Sequence, residues 1–177
     1  MISAIITTLN DQRRLGATLA ALAPAAVDCL VREVIVADGG STDATLELAD
    51  EAGARVLAGR RDRVLAEACA VARQPWLLVL PAGARLQVGW EAVVRGHIRR
   101  HPAAAGWFKL SLAEAGIGAR VEEAWADIAA RCLGRLRPEQ GLLIGTRQWA
   151  SPQGRPYPLA ARILIGGGES DGLADFA

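Results

Sequence analysis

Lysine is almost missing from this chain. Lys109 is the only one, and arginine supplies the other positive charges, so that Lys and Arg together number 20 against 19 Asp and Glu. The resulting net charge of +1 leaves no basic surplus for a nucleic-acid partner. We read the lysine poverty as a composition bias of the source genome, not as function. Cysteine is scarce too: Cys29, Cys69 and Cys132 are odd in number and widely spaced. That excludes a disulfide framework and a cysteine zinc site, and it points to a reducing compartment. Histidine is limited to His97 and His101. They stand four apart on one predicted helix face, but no acid at ligand spacing joins them, so no metal site is expected there. No apolar run reaches membrane-spanning length. The first residues form a strand-like run, Ile2–Thr7, without a basic segment or cleavage site. The expectation is a cytoplasmic protein with no signal peptide and no transmembrane segment, peripheral membrane contact being left open.

What the chain does have is apolar residues, 51% of 177. That suffices for a globular core and one domain. The pattern alternates. Ser3–Thr7 reads as a strand, and a helix starts at Asn10 or Asp11, carries Leu15, Leu19 and Leu22 on one face, and stops near Pro24. Val34–Ala37 reads as a strand, Thr42–Ala52 as a helix ended by Gly53, and Arg55–Leu57 as a short strand. Arg61–Arg73 is helical with Val64, Ala68, Val71 and Ala72 inward. Trp76–Leu80 is a continuous apolar run typical of a central buried strand. Trp90–His101 is a helix stopped before Pro102. Trp107–Leu112 suits an edge or antiparallel strand, Val121–Leu133 a helix, and Leu142–Ile144 a last strand. After Trp149 the pattern decays through a Pro/Gly-rich stretch, Ser151–Pro158. The domain is expected over residues 1–165, with a flexible tail over residues 166–177. This βαβα order argues for an α/β fold with a doubly wound, mostly parallel sheet flanked by helices.

The most informative stretch is Glu33–Thr45, E-V-I-V-A-D-G-G-S-T-D-A-T. A β-branched run ends in an acid, two glycines free the backbone for a turn, and Ser41 or Thr42 can cap the next helix. Asp38 is thereby delivered to the carboxyl end of a strand, where open α/β sheets bind ligands. It can also serve merely as a turn former. Gly39, Gly40 and Ser41 could cradle phosphate, although backbone geometry alone explains the glycines. Asp43 is explained by the dipole of the helix it opens. Arg60, Arg61 and Arg63 precede or open a helix, and their forks suit phosphate as well as solvent. The tryptophans Trp76, Trp90, Trp107, Trp125 and Trp149 read as core anchors, with Trp107 or Trp149 as candidates to line a cleft.

Three landmarks together resemble the family 2 glycosyltransferases: S-A-I-I-T-T-L-N-D at Ser3–Asp11, E-V-I-V-A-D-G-G-S-T-D at Glu33–Asp43 and W-L-L-V-L-P-A-G-A-R-L at Trp76–Leu86. The resemblance covers the first half of the chain best. It implies a single-domain GT-A-like (Rossmann-like) fold that binds a nucleotide-sugar, such as a uridine diphosphate sugar, at the carboxyl ends of its strands. Thr7, Leu9 and Asn10 would line the nucleotide pocket, Asp38 would accept a hydrogen bond from the base, and Gly39, Gly40, Ser41 and Arg60 would lie near the diphosphate.

The chain also departs from that pattern. The family's metal-holding acid falls at Gly83, so Mn or Mg, which the resemblance would imply, lacks its carboxylate and no cofactor is predicted. The asparagine and glycine expected after Gly59 are Leu65 and Glu67. The late acidic pair that would activate the acceptor falls in Leu159–Ile165, which has no acid. Arg85, beside the lost metal position, is the candidate to replace the cation's charge, and Glu114 the leftover candidate for a base. The expected activity is glycosyl transfer by direct displacement at the anomeric carbon. Its alternative is a catalytically inactive pseudo-glycosyltransferase serving as a binding or scaffold module. A nucleotidyltransferase of similar topology is a third reading, but the chain lacks a Gly-rich loop after its first strand.

Overall fold

A computed structural model describes residues 1–112, 141–149 and 156–165. The expected helix Val121–Leu133, Glu114, Cys132 and the tail over residues 166–177 lie outside the described residues. The chain forms β1 (Ile2–Thr8), α1 (Gln12–Val27), β2 (Val31–Asp38), α2 (Thr45–Glu51), β3 (Arg55–Ala58), α3 (Val64–Val71), β4 (Trp76–Pro81), β5 (Arg85–Leu86), α4 (Trp90–Arg100), β6 (Gly106–Leu112), β7 (Leu142–Gly145), α5 (Thr146–Trp149) and β8 (Tyr157–Ile165).

All eight strands join one sheet in the order β3-β2-β1-β4-β7-β6-β8-β5. Pairings from β3 to β4 are parallel; β7 then enters antiparallel to both β4 and β6, β8 runs parallel to β6, and β5 closes the edge antiparallel to β8. β1 is the centre of the parallel half. Its neighbours β2 and β4 lie on opposite sides, so the winding reverses there and opens a crevice at the carboxyl ends of the strands.

The sheet is buried on both faces. Ile2, Ala4 and Ile6 of β1 pack with Leu15 and Leu22 of α1, Ala49 of α2 and Trp90 and Val94 of α4. Ile5 of the same strand turns the other way, to Val64, Ala68 and Cys69 of α3 and to Leu77 of β4. This alternation follows from the period of two in a strand. Trp76, Trp90 and Trp107 are core residues. Trp107, a candidate cleft residue by sequence, is fully buried, and Trp149 is partly buried against the α3 core.

Several elements differ from expectation. α1 runs through Pro24 to Val27. Proline there removes a single bond near the helix end, and Asp28 N–H to Pro24 O and Leu30 N–H to Ala25 O hold the last turn. α2 starts at Thr45, not Thr42, with Ala44 at its N-cap and no side-chain cap. α3 is shorter than Arg61–Arg73 because Arg60–Arg63 form a turn and Ala72 is extended. Val71 is exposed and Cys69 takes the inward place. β6 is interior rather than an edge, and it pairs antiparallel with β7, as the other reading of Trp107–Leu112 has it. β8 forms over the stretch where the sequence pattern decays: Leu159, Ala161 and Ile163 alternate inward. Among the described residues, no helix is long and apolar enough to cross a membrane.

Candidate functional site

The turn after β1 and the turn after β2 are bound to each other. Asn10 N–H donates to Ser41 Oγ at 2.8 Å, and Asn10 Oδ1 accepts Thr42 N–H at 2.8 Å. Asp11 N–H donates to Thr45 Oγ1 at 2.9 Å, Gln12 N–H to Asp43 Oδ2 at 3.3 Å, and Gln12 Oε1 accepts Ala44 N–H at 3.0 Å. Asn10 holds φ at 56°, in the left-handed region that asparagine tolerates. The polar residues of both motifs are thus largely spent on fixing one rigid double turn. This also explains the late start of α2: residues 41–44 bond across to the first turn before the helix begins.

Asp38 ends β2 and is fully buried. Its Oδ1 accepts the hydroxyls of Thr8, at 3.1 Å, and of Ser41; its Oδ2 accepts Gly40 N–H at 2.9 Å and Ser41 N–H at 2.8 Å. Four donors occupy the four lone-pair positions of a carboxylate. Burial by itself raises the pKa, but the Ser41, Gly40 and Thr8 hydrogen bonds outweigh it, and the net effect holds Asp38 below its ordinary 3.8. The Thr45 hydroxyl does most to lower the pKa of Asp43.

Beneath the double turn lies a cleft of about 440 Å³ at the carboxyl ends of β1, β2 and β4. Thr7, Thr8 and Leu9 form its floor, Ala37 and Gly39 one wall, and Pro81 and Ala82 the other. Asp11 and Arg14 enter from α1, Arg61, Val64 and Leu65 from the start of α3, and Ile165 from the end of β8. A larger groove of about 700 Å³ lies between α1 and the amino ends of β2 and β3, away from the carboxyl ends of the strands.

Of the residues proposed from sequence, the cleft gathers Thr7, Leu9 and Gly39. Asn10, Asp38, Gly40 and Ser41 stand behind it as the double turn. Arg60 is paired on the surface with Asp62, its Nε and Nη2 each 3.1 Å from a carboxylate oxygen, and Arg61 takes the place in the cleft. Arg85 sits on the edge strand β5 opposite Leu164, outside the cleft lining. Arg14 is the residue that sequence reasoning missed. The signal for it was Gly83, where a Cβ would lie 3.3 Å from Arg14 Cβ and 3.4 Å from its Cδ. No sequence spacing reveals that contact.

Comparison with known proteins follows this geometry. The family model described as glycosyl transferase family 2 matches residues 3–111, more than half of the chain. No curated protein matches it. Among solved structures, glucosyl-3-phosphoglycerate synthase from Mycobacterium tuberculosis in complex with phosphoglyceric acid superposes with a TM-score of 0.58 at 21% identity, covering 83% of this chain and 57% of the other. The same synthase in complex with Mn2+ and uridine-diphosphate-glucose gives a TM-score of 0.65 at 18% identity, covering 99% and 73%. Mannosyl-3-phosphoglycerate synthase from Rubrobacter xylanophilus gives 0.62 at 18%, covering 82% and 53%. This chain therefore spans little more than half the length of two of these three matches. The likeness establishes the GT-A fold.

The manganese in that neighbour raises the question of a metal here. Among the described residues none fits one. The end of β4 reads Pro81-Ala82-Gly83, which offers no side-chain oxygen. Among the described residues no three His, Cys, Asp or Glu side chains cluster as a metal ligand set would. Asp11, the one acid among the described residues that line the cleft, is bonded to the Arg14 guanidinium and to Leu9 N–H.

Proposed function

This chain belongs to glycosyl transferase family 2, and from that premise we propose that it binds a nucleotide-sugar in the cleft at the ends of β1, β2 and β4 and presents the glycosyl group to an acceptor. The observation that carries the reading is the place of the cleft. It lies at the topological switch point of the parallel half of the sheet, under two turns locked by six mutual hydrogen bonds. In this reading Thr7, Leu9 and Gly39 contact the nucleotide. Asp38, Asn10, Gly40 and Ser41 hold the wall in shape, which is the pre-organisation that a small-molecule site needs. The donor is a uridine diphosphate sugar, by analogy with the ligand of the synthase. Ile165 brings an apolar side chain to the cleft, so the acceptor side receives no acid from β8. Cys29 and Cys69 are free thiols, and we infer a cytoplasmic site of action from the cysteine usage.

Thermal unfolding of the full chain with a panel of nucleotide-sugars tests the reading. A ligand that binds only the native state, supplied at about 100 times its Kd, should raise Tm by about 5–10 °C. Uridine diphosphate sugars are expected to do so. No shift with any nucleotide-sugar at millimolar concentration refutes the reading. Release of uridine diphosphate with sugar or lipid acceptors then separates a transferase from a protein that only binds.

A further inference from the structure

Two glycines end the strands on either side of β1: Gly39 after β2 and Gly83 after β4. Each has an arginine stem laid over it. A Cβ at Gly39 would lie 3.3 Å from Arg61 Cβ and 3.4 Å from Arg61 Cγ; the matching contacts at Gly83 are with Arg14. The two arginines come from opposite layers. Arg14 belongs to α1, which packs on one sheet face, and Arg61 precedes α3, which packs on the other. Both line the same cleft.

On this geometry, and on the nucleotide-sugar reading above, we propose that Arg14 and Arg61 clamp the diphosphate of the donor and offset part of its charge without a divalent cation. The chemistry is consistent throughout the cleft. Asp11, the single acid among the described residues that line it, accepts from Nε and Nη2 of Arg14 through one oxygen and from Leu9 N–H through the other. That pairing aims the guanidinium and leaves Nη1 without a protein partner among the described residues. Arg61 is exposed and pairs with no acid among the described residues. A guanidinium fork matches phosphate oxygens two at a time, and with Asp11 paired to Arg14 the three side chains bring a net charge of +1 to the cleft. A carboxylate at position 83 would meet the Arg14 stem, and it would need a side chain at φ +87°.

The test is calorimetric titration of the full chain with uridine diphosphate and with uridine, each in EDTA and in Mn2+. The expected result is uridine diphosphate affinity that differs less than about threefold between the two conditions. Arg61→Ala, on an exposed side chain, should weaken uridine diphosphate in EDTA by about tenfold or more and leave uridine unchanged. Arg14→Lys, which keeps the stem and the charge but loses the fork, should weaken it by at least about threefold. Uridine diphosphate binding that requires Mn2+ overturns the clamp and leaves the nucleotide-sugar reading standing. So does an Arg61→Ala loss that is equal for uridine and uridine diphosphate. Failure of both probes to bind in both conditions overturns the nucleotide-sugar reading and the clamp together.

Discussion

Asp38 illustrates how a residue can belong to a site without facing it. The resemblance assigns its carboxylate to a nucleotide base, yet its four lone-pair positions are taken by Thr8, Gly40 and Ser41. The physics of strand ends, legible in the sequence, puts an acid at the carboxyl end of β2, between two residues that line the cleft. It does not say whether the acid points at ligand or at backbone, because that depends on which donors the following turn aims back. Truncation by Asp38→Ala leaves two backbone N–H groups and two hydroxyls without their acceptor. We expect it to cost roughly 2–3 kcal/mol, seen as a Tm lower by about 4–12 °C. Asp38→Asn should cost much less. Its oxygen can face the two N–H groups while the Thr8 and Ser41 hydroxyls rotate to accept from its amide. A mutant Asp38→Ala of unchanged Tm would show that the four bonds contribute nothing net. Gly83 offers a second residue-scale expectation. Gly83→Asp, the change that would restore the carboxylate, should destabilise by roughly 1–3 kcal/mol through its positive φ. It should not create manganese-dependent binding, since Arg14 already fills the space. Calorimetry of that variant with and without Mn2+ checks both parts.

At the scale of elements, the strands and helices that pair locally and parallel were readable. β1, β2, β3 and β4 and the helices between them each carry a complete pattern of their own: an apolar run, then a turn, then a helical stripe. The missed elements owe their existence to partners distant in sequence. β5 is two residues long and exists because β8 pairs with it, Arg85 opposite Leu164 and Leu86 opposite Ile163. β8 itself carries Tyr157, Pro158 and Arg162 among its apolar residues, and its register is set by β6. Such pairing is a tertiary fact that periodicity cannot supply. The double turn is legible only in part for the same reason. T-L-N-D-Q and D-G-G-S-T-D are each recognisable as loops, but their bonds join residues about thirty positions apart, as in Asn10 to Ser41. Since Asn10 contributes both its backbone geometry and its side-chain oxygen to that joint, Asn10→Ala should loosen the cleft wall more than it lowers global stability. Amide hydrogen exchange should rise at Ser41 and Thr42 first, with the β1 and β4 amides unchanged. Equal acceleration throughout the sheet would argue against a local joint.

At the scale of the whole molecule, two buried groups at opposite ends of the sheet give stability the same pH slope. His97 lies under Trp76 at the far end from the cleft, with its ring nitrogen Nε2 2.8 Å from Ala104 O. The neutral tautomer donates there. Burial lowers its pKa below the ordinary 6.5, and nearby His101 and Arg100 lower it further, while the Ala104 bond works the other way. The unfolded chain therefore takes up a proton near pH 6.5 that the folded chain refuses. Stability from this group is complete above the unfolded value and is lost as pH falls from there through the folded one. Asp38 behaves alike in a lower window, because its folded pKa also lies below its unfolded value of 3.8. Its contribution is intact above that value and disappears as acid protonates it. The unfolding free energy should thus be flat above neutrality and decline in two stages, with the one proton of His97 limiting the first slope to about 1.4 kcal/mol per pH unit. Urea unfolding at intervals from pH 8 to pH 3 measures this. His97→Gln keeps a donor for Ala104 without a titrating ring, and it should flatten the stage below pH 6.5 alone. Asp38→Asn should flatten only the later stage, where Asp43 leaves a remainder of its own because its pKa is also lowered. If His97→Gln leaves the first stage in place, the proton that destabilises the fold goes to another group, and the burial of His97 is not what sets the acid limit.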